Sequence, residues 1–305
     1  MIITGIAQGL IWAFLAIGVF ITFRILDIPD LTAEGSFPLG AAVTIKLMVD
    51  GQSAVVATIV GFLAGCIAGI ITGLLDTKLH VPSLLAGILT MTGLYSINMH
   101  VMGRANLPLG MQKTLMTMLP DSLDSNAQTI VVGVLIAIVV IALLWVFFQT
   151  KMGLAVRATG NNSMMSAANG IKTDRMVILG YAVSNGCIAL SGSLVAQNNG
   201  FSDIGMGIGT IVIGLASVLI GQIFIRSRGM LWQLIAMVLG AVVYRLLLTI
   251  AMNVGVSPDD LKILSTIVLI IVIVVPMIQG KINEKRQLNK YLAGLDSGEK
   301  ETINE

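Results

Sequence analysis

Few residues in this chain could handle a solute, and each stands in apolar surroundings. The stretch Asp27 to Gly40, DIPDLTAEGSFPLG, sets Asp27, Asp30 and Glu34 beside Pro29, Gly35 and Pro38, between two apolar runs. Carboxylates on unwound backbone at membrane depth are tolerated only where protein or a water-filled cavity surrounds them. Discontinuous helices of this kind line solute pathways in transporters. Asp27 and Asp30 also fit an ordinary solvated turn, and fit it better, whereas Glu34 and its neighbour Gly35 lie deeper. Arg245, in MLWQLIAMVLGAVVYRLLLTIAMN, lies inside a span about two turns from its end by helical rise. A long arginine there can snorkel to the interface, or face a cavity and pair with a carboxylate of protein or solute. Tyr244 beside it suits the same interface. Asp30, Glu34, Gly35 and Arg245 are therefore the candidate path residues.

A further constellation is built for contact and not for chemistry. The loop Lys151 to Arg175, KMGLAVRATGNNSMMSAANGIKTDR, separates the apolar runs Thr129 to Phe148 and Met176 to Ala196. Asn161 or Asn162 can cap a helix of about two turns, and Gly170 stands where a left-handed residue ends one. Met164, Ala167, Ala168 and Ile171 follow helical spacing and give a small apolar face, flanked by Arg157, Lys172 and Arg175. So short a helix needs a docking surface. A partner protein and the anionic inner leaflet fit equally well.

The elements that must position these residues are membrane spans. Of 305 residues, 56% are hydrophobic and 11% charged, against about 25% charged in a soluble domain, so the chain is an all-α integral membrane protein. Runs near the 20 residues needed to cross occur at Ile3–Phe23, Leu39–Val49 with its polar lead-in, Ala54–Leu75, Pro82–Met102, Thr129–Phe148, Met176–Ala196, Gly207–Phe224, Met230–Met252 and Leu261–Ile278. The expectation is a polytopic bundle of about nine helices with a broken second helix. Residues 1–280 form one transmembrane domain, and 281–305 a short polar tail too small for a soluble engine. The opening residues lack a basic stretch and a cleavage site, and read as a first span and not a leader. With the tail cytoplasmic, Arg24, Lys78, Lys151, Arg157, Lys172, Arg175, Arg226 and Arg228 gather on that side, which places the N-terminus outside.

Several classes drop out. Cys66 and Cys187 sit in apolar runs and read as core residues. His80 and His100 belong to no cluster of metal-ligand spacing, so no metal site is expected, and no Ser/His pairing suggests a hydrolase. The P-loop pattern is missing, so this chain does not bind ATP by that route. The net charge of +2 suggests no nucleic-acid partner. The chain reads as neither an enzyme nor a cofactor carrier.

The loop then resembles one family specifically. Met152-Gly153, Arg157-Ala158, Ala167-Ala168, Gly170-Ile171 and Thr173-Asp174-Arg175 are spaced as in the branched-chain amino acid ABC permeases. GLIWAFLAIGVFITFRILDIPDLTAEGSFPLGA is similar to that family's first spans, and KLHVPSLLAGILTMTGL to the related ribose-type permeases. Where the family often carries Ala-His-Gly, this chain has Ala33-Glu34-Gly35. DLTAEGSFPLGA looks closest to a branch associated with aromatic amino acid uptake. The resemblance implies a permease of an importer that moves a small polar solute, an amino acid first of all. A second permease copy would pair with it, an ATPase dimer would dock beneath, and an extracytoplasmic binding (lipo)protein would deliver the solute. It also makes Arg157, Asn161, Met164, Ala167, Ala168, Gly170 and Arg175 the ATPase-coupling residues. An ion-coupled secondary transporter built on Asp30, Glu34 and Arg245, or the same ABC role with a sugar or nucleoside, is the alternative.

Overall fold

The computed structural model describes residues 2–119, 124–224 and 229–253, and beyond these only 263, 265–270 and 274. The expected span at Leu261–Ile278 lies largely outside the described residues. Arg226, Arg228 and the tail from Lys281 lie wholly outside them.

The bundle is made of α1 (Ile2–Phe20), which runs into a π-helical turn (Ile21–Ile25), then α2 (Ala33–Val49), α3 (Ala54–Thr77) and α4 (Ser83–Met102). Strand β1 (Asn106–Pro108) and a 3-10 turn at Met116–Met118 lead to α5 (Ser125–Gln149). Two short helices follow, α6 (Lys151–Asn161) and α7 (Ser163–Ala168), and then the long α8 (Thr173–Asn199). Strand β2 (Phe201–Asp203), a 3-10 turn (Ile204–Gly207), α9 (Thr210–Phe224) and α10 (Met230–Asn253) complete it. Seven of these helical segments are long and apolar enough to cross a membrane. The short α2, enclosed by its neighbours, makes an eighth helix of the bundle. Burial falls from 83% of α1 and 78% of α8 to 17% of α5, so α1 and α8 are the centre and α5 faces lipid.

The centre closes because its helices carry small residues in register. Gly61, Gly65, Gly69 and Gly73 recur every fourth residue along α3, on the face that meets Ser193, Ala189 and Asn185, Tyr181, and Ile178 of α8. A Cβ at Gly65 or Gly69 would collide with α8 backbone. Without a hydrophobic force between helices in lipid, such close approach is what holds them, together with interhelical hydrogen bonds. Those bonds are present: Thr44 Oγ1 donates to Ser193 Oγ at 2.9 Å, and Ser184 and Ser191 donate to the carbonyls of Gly18 and Ile11 at 2.7 and 2.8 Å.

Two expectations need correction. The second helix is not broken. Only Leu26–Thr32 is non-helical before α2, and α2 runs continuously through Pro38. Proline interrupts only the bond its own N–H would make, here to the Glu34 carbonyl, and the turn Ser36 N–H to Thr32 C=O at 2.8 Å has already started the helix. The discontinuity lies instead before α9, which begins at Thr210, three residues later than expected. From β2 the chain folds back along α2, with Met206 packed against an apolar cluster to which α2 contributes Ala41, Ala42, Ile45 and Met48. Gly207 meets the carbonyl that Pro38 leaves without its helical donor, and any Cβ there would clash with it. Non-helical backbone is tolerated at this depth because protein surrounds it. The antiparallel β1–β2 pairing, Asn106 with Asp203 and Pro108 with Phe201, also went unforeseen: β1 lies inside the polar stretch Gly103–Asn126 and β2 directly follows α8. The pair marks one end of the bundle, and the α6–α7 loop marks the other.

Candidate translocation site and coupling loop

Asp30, expected in a solvated turn, is buried, with 5% of its surface exposed. Its Oδ1 accepts from the Thr32 N–H and its Oδ2 from Asn185 Nδ2, both at 2.8 Å. Asn185 Oδ1 in turn accepts from Ser36 Oγ at 2.7 Å, and its amide also donates to the Tyr181 carbonyl. Asn185 stands twelve residues up α8, roughly 18 Å from its start by helical rise. The break is therefore drawn into the bundle and fastened there. A second strand of the network joins Thr32, Thr72 and Thr90 at 2.9 and 3.0 Å, tying α2 to α3 and α4. Tyr181 Oη donates to Asp76 at 3.1 Å. Asp27 is exposed, in a left-handed conformation (φ 58°).

Glu34 accepts from the Gly209 N–H at 3.0 Å, so it clamps the re-entrant stretch onto α2. Gly35 packs against Met91 and Leu94 of α4, and its carbonyl accepts from Asn98 Nδ2 at 3.3 Å.

Arg245 does not snorkel. Gly5 lies against Leu246 and Gly9 against Val242, so the Arg245 backbone is level with about residue 6 of α1. Its guanidinium nevertheless sits 4.1 Å from the ring centre of Trp12, so the side chain runs towards the middle of the bundle. Helical side chains lean to their helix's N-terminus, which turns Arg245 inward and Trp12 out to meet it. Trp12 packs in turn on Phe37 of α2, centroids 5.1 Å apart. Arg245 Nε and Trp12 Nε1 are both buried without a hydrogen-bond partner among the described residues, with which Arg245 also makes no ion pair. A desolvated cation–π contact is worth about 2 kcal/mol, less than the several kcal/mol that burying an ion costs. The guanidinium is short of an anion. Tyr244, expected at the interface, is instead fully buried beside Leu248 and Ala216.

The loop end is assembled around Asn162. It caps α7, its Oδ1 accepting from the Met165 N–H at 2.9 Å, and Gly170 follows in the left-handed conformation (φ 81°). Asn161 instead ends α6, a helix the sequence reading missed because Gly153 and Gly160 dilute its pattern. Its legible signal was Thr150, whose Oγ1 accepts from the Gly153 N–H. Gly160 abuts the Ile25 carbonyl so closely that a Cβ would collide with it. Met164, Ala167 and Ala168 face outward, with Met164 80% and Met165 66% exposed, while Ser166 turns in. Arg157 and Arg175 flank the same surface, Arg175 exposed at the start of α8. A cavity of about 420 Å³ separates α7 from the break, lined by Leu26, Asp27, Ile28, Asn162, Met164 and Val177.

Sequence reasoning missed Asn185, Trp12 and Gly209. Asn185 alone carried a signal, an amide in the middle of an apolar span.

A polytopic helical bundle with polar side chains at its centre and a helical loop at one end defines a membrane permease. The model of the family described as branched-chain amino acid transport system / permease component matches residues 1–274, and the chain belongs to that family, as a permease subunit of an ATP-binding-cassette importer. It is 38% identical to a tyrosine transport system permease protein of Clostridioides difficile, over 88% of this chain and 89% of that one. It is 35% identical to an uncharacterised protein of Rickettsia prowazekii, over 89% and 96% of the two chains. A shorter likeness, 29% over 92 residues, joins it to the autoinducer 2 import system permease protein LsrC of Photorhabdus laumondii. No solved structure matches it.

Proposed function

We propose that the chain imports an amino acid, with an aromatic one such as tyrosine first in line, and that α6–α7 is the element through which a cytoplasmic ATPase dimer drives it. The observation that carries this reading is the capped α7 with Met164 and Met165 outermost. Both are exposed at the end of the bundle where Arg24, Lys78, Lys151, Arg157, Lys172 and Arg175 gather. Basic loops face the cytoplasm, and on that rule α6–α7 lies inside, with the β1–β2 pair and the N-terminus outside. Methionine adapts to a partner's groove because its chain is unbranched and polarizable. Movement imposed on α7 would pass through Gly160 to the π-helical turn at Ile25, and from Asp30 to Asn185 on the central α8. The bundle would thus rock as packed bodies. ATP would be held by the ATPase subunits, and an extracytoplasmic binding protein would hand the solute to the β1–β2 side. The identity of the relative in C. difficile supports the aromatic substrate.

The test is uptake of labelled L-tyrosine into vesicles that carry this permease, its ATPase and its binding protein. ATP-dependent accumulation is expected, absent when the ATPase is omitted. Accumulation driven by an ion gradient without ATPase would overturn the coupling and favour a secondary transporter. ATP-driven uptake of sugars or nucleosides but not of amino acids would overturn the substrate.

A further inference from the structure

Within the bundle, Arg245 makes no ion pair with a described residue, while the acids of α2 and its lead-in, Asp30 and Glu34, are engaged elsewhere. Asp30 is held by Thr32 and Asn185, and Glu34 accepts from Gly209. A guanidinium keeps its charge at any physiological pH, so burial cannot neutralise it as it would a lysine or histidine. It presents a planar fork of donors suited to a carboxylate, and one face is already occupied by Trp12. Two buried N–H groups, Arg245 Nε and Trp12 Nε1, lack acceptors among the described residues at the same place. Arg245 is half-buried, so the position is enclosed without being sealed.

We propose that Arg245 and Trp12 form a carboxylate-binding position inside the bundle, which holds the acid group of the solute during its passage. This rests on the amino-acid reading above and adds the group by which the solute is recognised. The guanidinium offers charge-assisted bonds to the carboxylate, and the Trp12 Nε1–H can supply a further donor. The ring of Trp12 fixes the guanidinium plane, so that its free edge and not its stem meets the ligand. A solute lacking the acid would leave both donors unpaired, and a site built on hydrogen bonds rejects such an analogue strongly.

The experiment measures binding of 3-phenylpropionate and of its neutral isostere 3-phenylpropionamide to the full-length permease in lipid nanodiscs, by saturation-transfer NMR and calorimetry. The carboxylate should bind at least about tenfold more tightly than the amide. Arg245→Met should erase that preference, Arg245→Lys should keep part of it, and Trp12→Phe should weaken carboxylate binding about threefold. Arg245→Gln serves in place of Arg245→Met if the latter does not elute as a folded particle. Equal affinity for the two probes, failure of both to bind, or a preference that survives loss of Arg245 would overturn the site. So would a rise in carboxylate binding on replacing Asp259 and Asp260 by Asn, because the anion would then belong to this chain. Uptake of L-tyrosine by the complete importer reads the function separately. Binding without uptake keeps the site and removes the substrate reading, and uptake without carboxylate preference does the reverse.

Discussion

The bundle holds two charges of opposite sign, Asp30 buried and Arg245 half-buried, and they are treated differently. Asp30 has a donor on each oxygen, and Asn185, which supplies one, is itself held by Ser36 and the Tyr181 carbonyl. Arg245 has an aromatic face, and its buried Nε has no acceptor among the described residues. A saturated buried charge fastens structure, because removing it orphans its partners. An unsaturated one costs stability and is retained for something outside the fold. The contrast separates a fastening near the loop end from the proposed binding position nearer the β1–β2 end, although sequence alone placed both residues in one path.

The largest effect should follow from breaking the fastening. Asp30→Ala leaves the Thr32 N–H and an Asn185 amide hydrogen buried and unpaired, at about 1–3 kcal/mol each. A sharp drop in the yield of monodisperse permease and in its melting temperature is expected. Asp30→Asn should be milder, since its carbonyl oxygen can still accept one of the two bonds. If Asp30→Ala proves as stable as the parent, Asp30 is no fastening.

Arg245 should behave in the opposite way. Replacing it by Met removes a buried charge with a side chain of comparable length, a change that is often neutral or stabilising. The melting temperature should hold or rise while uptake falls by about tenfold or more. A fall in stability matching that of Asp30→Ala would erase the distinction between the two charges.

The loop offers a third contrast, between a surface that the fold needs and one it does not. Met164→Glu with Met165→Glu should leave stability within about 0.5 kcal/mol, as surface changes do. The same pair should cut co-purification of the ATPase about tenfold. Retained co-purification at full transport would remove α7 from the contact.

How much of this was legible differs along the chain for physical reasons. Spans, the cap and the left-handed Gly170 depend on local composition, and local composition is what a sequence displays. The burial of Asp30 depends on Asn185, 155 residues away in sequence, and a lone acid beside Pro29 looks the same in a solvated turn. The unbroken α2 was misread because Pro38 and Gly35 signal a break locally, whereas the surrounding helices enforce continuity. The re-entrant stretch before α9 was hidden because Ile204 to Ile213 is as apolar as a helix, whereas distant Glu34 and the close approach at Gly207 help to hold Ile204 to Gly209 otherwise. Arg245 was singled out by its charge, but its direction required Trp12.

The smallest effect should come from the loop end's own ion pair. Lys78 Nζ lies 2.7 Å from Asp174 Oδ2 and links the end of α3 to the start of α8, beside a cavity of about 360 Å³ lined by Lys172 and Arg175. Both side chains are about half exposed, 56% and 48%. Water and salt screen such a pair, and exposed bridges are worth about 0–1 kcal/mol. The close fit of α3 on α8 at Gly65, Gly69 and Gly73 already holds these helices together without it. Lys78→Ala should therefore change the melting temperature little, and the change should shrink further in high salt. If it rivals Asp30→Ala, the bridge and not the buried network joins these helices. Loop motion would then reach α8 through the surface instead of through the break.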